Sequence, residues 1–274
     1  MAAVLGLLSA LGIGLSDLFG RRVVLAASAV TAATAMQLFS ALATLAFAVV
    51  TASPFDMGSF LWGCLSGLGM AGGITFYYLG LQQSTSTLVA PIVASMSATL
   101  PYLYAVSRGT PSSSLAAAGA VVAVLGLVFV TGGALSRERL RAGVKFGILS
   151  GLSYASAAIS FIEAANVEGW WPPVGQRLIG LLVLLPVATI MGRRHFPPPG
   201  QRVNGMMAGL LTAVVSVLYL ASLNRNAAVG AVALSTFPVF SVLIGRVFFA
   251  DALQESQAVG IALVVGGMAM LSLG

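Results

Sequence analysis

Apolar runs of about twenty residues, each closed by a charged, Pro-rich or Gly-rich break, recur along the whole chain. A helix needs about 20 mainly apolar residues to cross a bilayer, and lipid offers no partner to a free backbone, so runs of this length predict spanning helices. Ten are expected, near residues 2–23, 31–52, 58–81, 86–107, 112–134, 144–164, 171–191, 203–223, 227–249 and 254–273. The alternation that marks barrel strands is missing from the sequence. The first run begins at Met1 without the basic start of a signal peptide, so it is expected to stay as the first span.

Sliding the sequence along itself aligns identical residues at one constant shift of 141 positions. Gly6 falls on Gly147, Ser9 on Ser150, Tyr78 on Tyr219, Gly119 on Gly260 and Gly126 on Gly267. The chain is therefore expected to hold a first five-helix repeat over 1–135, a basic linker over 136–143 and a second five-helix repeat over 144–274. Five is odd, so the second repeat enters the membrane from the opposite side. The expected fold is an all-α polytopic membrane protein of ten transmembrane helices in two inverted repeats, a geometry that offers alternating access.

Composition narrows the function classes. The chain is 58% hydrophobic and 7% charged, against roughly 25% charged in a soluble domain. The net charge of +6 comes from 13 Lys and Arg scattered between apolar runs, without the aromatic-interleaved stripe of a nucleic-acid binder. They read as orientation signals and lipid headgroup contacts. Cys64 is the sole cysteine and His195 the sole histidine, so no disulfide is expected within the chain and no metal site. Phosphate-binding loops and nucleophile elbows are missing as well, so neither an enzyme nor a cofactor is expected.

Ionisable groups inside spans are costly and mark candidate sites. Asp17 has Arg21 one turn later; it reads either as half of an interfacial pair or as a cavity carboxylate able to bind a cation or a proton. Glu163, near the end of the sixth span, carries the same two readings and is the second proton-coupling candidate. Arg177 lies inside the seventh span, where it either binds a substrate carboxylate or pairs with Glu163 or Asp17. Tyr78, Gln82 and Tyr219 place polar tips on the third and eighth spans, and Ser153 and Tyr154 do so on the sixth; the alternatives are interfacial tyrosines and close helix packing. Gly119, Gly126, Gly260 and Gly267 read as packing positions. Pro91, Pro101, Pro186 and Pro238 each remove a backbone hydrogen bond, giving kinks that either act as hinges or stay fixed.

The run Leu234-Ser235-Thr236-Phe237-Pro238-Val239-Phe240, the turn Phe248-Phe249-Ala250-Asp251, then Gln257 and the Gly260 to Gly267 helix resemble the drug/metabolite transporter superfamily in its ten-span EamA type. Arg177 matches an arginine that the family often carries in the second helix of a unit. In the first half Gln37 stands about where that arginine falls, and Arg108-Gly109-Thr110-Pro111 replaces the acidic turn. The resemblance implies a secondary transporter, commonly an exporter, for a small amino-acid-like or other polar or amphipathic metabolite. A lipid or lipid-carrier translocase of the same fold, or a non-transporting scaffold or sensor, remains the alternative. The setting it implies is a prokaryotic inner or plasma membrane, with the protein as a monomer or homodimer. Charge and resemblance disagree on orientation: the basic residues flank mainly odd-numbered loops, which puts both termini outside the cytoplasm, whereas the resemblance implies the arrangement more often found in the family, with both ends cytoplasmic.

Overall fold

The structure, a computed structural model, describes residues 1–84, 86–130, 137–165, 168–249 and 255–273. Among these the regular structure is helical: α1 (Ala2–Ala26), α2 (Ala29–Val50), α3 (Met57–Gln83), α4 (Ser86–Ser107), α5 (Ser114–Val130), α6 (Arg137–Ala164), α7 (Trp171–Ile190), α8 (Arg202–Leu223), α9 (Ala227–Ser235), α10 (Phe237–Phe249) and α11 (Glu255–Leu273). Six helices among the described residues are long and apolar enough to cross a membrane: α1, α2, most of α3, α6 from Arg141, α7, and α8 with the turn before it. The Ser114–Gly126 part of α5 and the Ala258–Gly267 part of α11 are shorter apolar helices.

Local chemistry sets the breaks. Ser28 accepts from the Thr31 amide at the start of α2, Asp56 from the Ser59 amide at the start of α3, and Asn226 from the Val229 amide at the start of α9. Each satisfies a donor that the first helical turn leaves orphaned. Gly169, at φ 129°, turns the chain before α7, where a Cβ would lie 2.6 Å from the Pro54 carbonyl oxygen. The 51–56 loop docks there through Ser53, whose hydroxyl accepts from the Trp170 amide at 2.7 Å and whose carbonyl accepts from the Trp171 indole at 3.1 Å.

Two expectations change. The basic stretch expected as a linker is helical from Arg137, forming the first turns of α6. The ninth apolar run is two helices and not one, interrupted at Thr236, which caps α9 while Phe237 begins α10. Pro238 then falls in the first turn of α10, where a missing N–H costs nothing. Helix α4 runs on through Pro91 and Pro101, and α7 through Pro186.

Helix α3 packs most extensively on α6, α5 on α11, and α1 on α8. Helix α2 crosses both α7 and α8, α3 also meets α7, α4 lies along α6 and α9, and α1 lies along α9 and α10. Small residues make these crossings close. A Cβ at Gly126 would lie 2.7 Å from the Gly260 carbonyl oxygen, and one at Gly267 would lie 2.5 Å from that of Gly119, so α5 and α11 meet backbone to backbone. Gly6 of α1 abuts Ala233 of α9, and Gly147 of α6 abuts Ile92 of α4.

Candidate functional site

A cavity of about 320 Å³ opens at one end of the bundle, between the later turns of α1, the first turns of α2, and the C-terminal halves of α3 and α10. That volume is within the range of small-ligand pockets. Asp17 and Arg21 line it from α1, one helical turn apart and both exposed. Tyr77 of α3 is within electrostatic reach of Asp17. The remaining wall is mainly apolar or small, with Met36, Ile74, Ile244 and Gly20 among its residues.

Ser16 belongs to the same wall but is buried, and polar groups run inward from it. Its hydroxyl donates to the Ala208 carbonyl at 2.9 Å and lies 2.9 Å from the Thr212 hydroxyl, both on α8. One turn on, Ser216 donates to the Thr212 carbonyl at 3.1 Å. The Ser216 hydroxyl oxygen in turn accepts from Nε of Arg177 at 2.9 Å and from its Nη2 as well. Nη1 of Arg177 donates to the Gln37 side-chain carbonyl on α2 at 3.4 Å.

Arg177 is 4% exposed. An arginine at a helix centre costs about 2.5–3.5 kcal/mol on insertion scales, so burial of this kind demands hydrogen-bonding partners. Those the structure gives it are two neutral oxygens, one from α8 and one from α2. Among the described residues no ion pair joins Arg177 to Glu163 or Asp17, the pairing expected as one of its readings; Glu163 sits with α4 instead.

Glu163 marks the end of the bundle where α4 and α6 finish. Its Oε1 accepts from the Tyr104 hydroxyl at 2.6 Å and lies 3.4 Å from Nε of Arg108. The Asn224 side-chain amide, just after α8, donates to the Ala165 carbonyl at 2.7 Å, and Ser222 donates to the Ala2 carbonyl at 2.7 Å. These contacts join α4, α6, α8 and α1 at the end remote from the cavity.

The other candidates separate by environment. Tyr219 is buried and stacks on Phe161, centroids 5.7 Å apart and planes 7° apart. Ser153 returns its hydroxyl to the Leu149 carbonyl of its own helix, while Tyr154 packs its ring on Gly73 of α3. The side chains of Tyr78, Gln82, Pro91, Pro238 and Gln257 lie outside the described residues, as does Asp251. Sequence reasoning missed Thr212 and Ser216, although their spacing of four in an apolar run puts two hydroxyls on one helix face. It also missed Tyr104, one turn before Arg108.

Residues 141–273 match the EamA-like transporter family. A solved structure described only as "Crystal structure of protein" aligns over 99% of this chain and 98% of that chain, with a TM-score of 0.82 at 17% identity, and so shares the fold. No curated protein matches.

Proposed function

Residues 141–273 form an EamA-like transporter family domain, and on that premise we propose that the chain is a multi-pass secondary transporter that moves a small polar or amphipathic metabolite by alternating access. The observation that carries this reading is the 320 Å³ cavity, walled by α1, α2 and α3 from before mid-chain and by α10 from after it, with Asp17 and Arg21 inside it in a chain only 7% charged.

Two inverted five-helix repeats are supported by the way contacts pair off. With α9 and α10 taken as one broken span, exchanging each span for the one five places on carries the α1–α8 contact onto α6–α3 and the α2–α8 contact onto α7–α3. The 141-residue shift carries the Gly6–Ala233 approach onto Gly147–Ile92, and the Gly126–Gly260 approach onto Gly267–Gly119. Contacts that map onto their own equivalents are what a pseudo-twofold axis in the membrane plane requires.

In the conformation described, the cavity is at one end and the Tyr104–Glu163–Arg108 cluster joins α4 of the first repeat to α6 of the second at the other. Transport exchanges these roles. The cavity end carries Arg21, Arg22, Arg141, Lys145, Arg193, Arg194 and Arg202, which by the positive-inside rule is the cytoplasmic end. A cavity open to the cytoplasm suits an exporter. Arg177, with Ser216 and Gln37, is the deep polar anchor, and Asp17 and Glu163 are the groups through which a proton gradient couples.

The test is transport by the purified protein in liposomes against a panel of metabolites, with and without a pH gradient. Saturable, protein-dependent flux of a panel member supports the proposal. Flux no faster than in protein-free liposomes across a broad panel of amino acids, organic acids, amines and nucleosides counts against it.

A further inference from the structure

The geometry points to a carboxylate on the transported molecule: Arg177 is the site at which an anionic head group binds, so the substrate class is small anions and zwitterions with a compact apolar body, and not organic cations. This inference rests on the transporter reading and names the substrate class of that same site.

The fork of Arg177 is the first reason. Nε and Nη2 form the guanidinium edge that takes a carboxylate in two parallel hydrogen bonds. Here both donate to one oxygen, the Ser216 hydroxyl, and Nη1 reaches Gln37 only at 3.4 Å. Among the described residues no carboxylate is paired with it. A buried cation held by neutral acceptors keeps its charge uncompensated, and a two-oxygen anion replacing the single hydroxyl supplies both the second acceptor and the charge.

Access is the second reason. Ser16 is a wall residue of the cavity, and Thr212 and Ser216 lead from it to the guanidinium by hydrogen bonds of 2.9 and 3.1 Å. The Ser16, Thr212 and Ser216 hydroxyls donate to the Ala208 and Thr212 carbonyls, so this line of small polar side chains joins the cavity wall to the guanidinium, and displacement of Ser216 frees the fork.

The charge around the entrance is the third. Arg21 lines the cavity, and Arg22, Arg193, Arg194, Arg202 and Arg246 are exposed at the same end of the bundle. Asp17, within the cavity, sits one turn from Arg21. A rim of this sign draws anions and repels organic cations before either reaches Arg177.

Three probes with one hydrocarbon skeleton isolate the head group: 4-methylpentanoate, 4-methylpentanamide and 4-methylpentylamine, added to the purified full chain while thermal unfolding is followed. The carboxylate is expected to raise Tm by about 2 °C or more at saturating concentration, with the amide and the amine giving smaller shifts or none. In Arg177→Gln the carboxylate shift is expected to vanish, and in Arg177→Lys to survive in part. Ser216→Ala removes the competing hydroxyl, so its carboxylate shift is expected to exceed that of the unmodified protein; because this variant keeps the guanidinium, it decides the matter even where Arg177→Gln does not fold. An amine shift equal to or above the carboxylate shift, or a carboxylate shift that persists in Arg177→Gln or is lost in Ser216→Ala, overturns the assignment. Liposome flux of a non-anionic metabolite without any carboxylate shift removes this inference and leaves the transporter reading standing. A carboxylate shift without flux of any panel member does the reverse.

Discussion

The guanidinium of Arg177 and the side-chain amide of Gln37 meet at 3.4 Å across 140 positions of sequence, so α7 and α2 share one buried polar contact. Gly180 packs on the other side of the same amide: a Cβ there would lie 2.6 Å from Nε2 of Gln37. A buried donor left without an acceptor costs about 1–3 kcal/mol. Gln37→Leu takes away the acceptor of Nη1, whereas Ser216→Ala takes away that of Nε and Nη2 together. Both variants are expected to unfold at lower temperature than the unmodified protein, Ser216→Ala by the larger margin. Equal stability of all three would show that these hydrogen bonds do not hold the buried charge.

Gly20 lines the cavity, and a Cβ built on it meets nothing within 4 Å. Gly20→Phe therefore places a ring in the cavity without distorting the backbone around it. Flux in liposomes is expected to fall at least tenfold while Tm stays within a few degrees of the unmodified value. Full flux in this variant rules the cavity out as the substrate path.

Gly266 and Gly267 are neighbours with opposite surroundings. A Cβ at Gly267 would lie 2.5 Å from backbone atoms of Gly119 and Ala123, while one at Gly266 meets nothing within 4 Å. Gly267→Ala must push α5 and α11 apart and is expected to cost about 1–3 kcal/mol by overpacking. Gly266→Ala is expected to be neutral or mildly stabilising through helix propensity. Thermal unfolding of the two variants side by side checks the difference, and matching midpoints contradict the backbone contact.

Asp17 and Glu163 stand at opposite ends of the bundle, one in the cavity and the other between Tyr104 and Arg108. Asp17→Asn combined with Glu163→Gln removes both carboxylates while keeping shape and hydrogen-bonding capacity. Flux driven by a pH gradient is expected to be lost in the double variant, with exchange in the absence of a gradient retained. Unchanged gradient dependence refutes proton coupling through this pair.

Most of the helix boundaries were legible because each apolar run ends at residues that lipid cannot hold, and Ser28, Asp56 and Asn226 act as caps at those breaks. The interruption at Thr236 was not legible as a break, since Leu234 to Phe240 is apolar throughout apart from Ser235 and Thr236, and a proline signals kink and helix start alike. The basic stretch before α6 misled for the opposite reason: Arg137 to Arg141 is charged yet composed of good helix formers, so it extends the helix. At the site, cost alone singled out Asp17, Glu163 and Arg177. The partners of Arg177 escaped because serine and glutamine carry no charge to flag them, and which hydroxyl faces which helix is set by the crossing of α2, α7 and α8. Glu163 found Arg108 across a loop boundary, where the sequence gives depth but not direction.

Distances between spin labels at the two ends of the bundle test the central claim most directly. One pair, Val24 with Val247, spans the cavity end between α1 and α10; the other, Ser107 with Arg225, spans the end where Glu163 meets Arg108. All four positions are exposed. The proposed pair of opposed five-helix units around one site requires that the ends move in opposition. In liposomes, Glu163→Gln is expected to shift the population toward a longer Ser107–Arg225 distance and a shorter Val24–Val247 distance together. A single unchanging distance at each end, or a lengthening at both at once, contradicts alternating access.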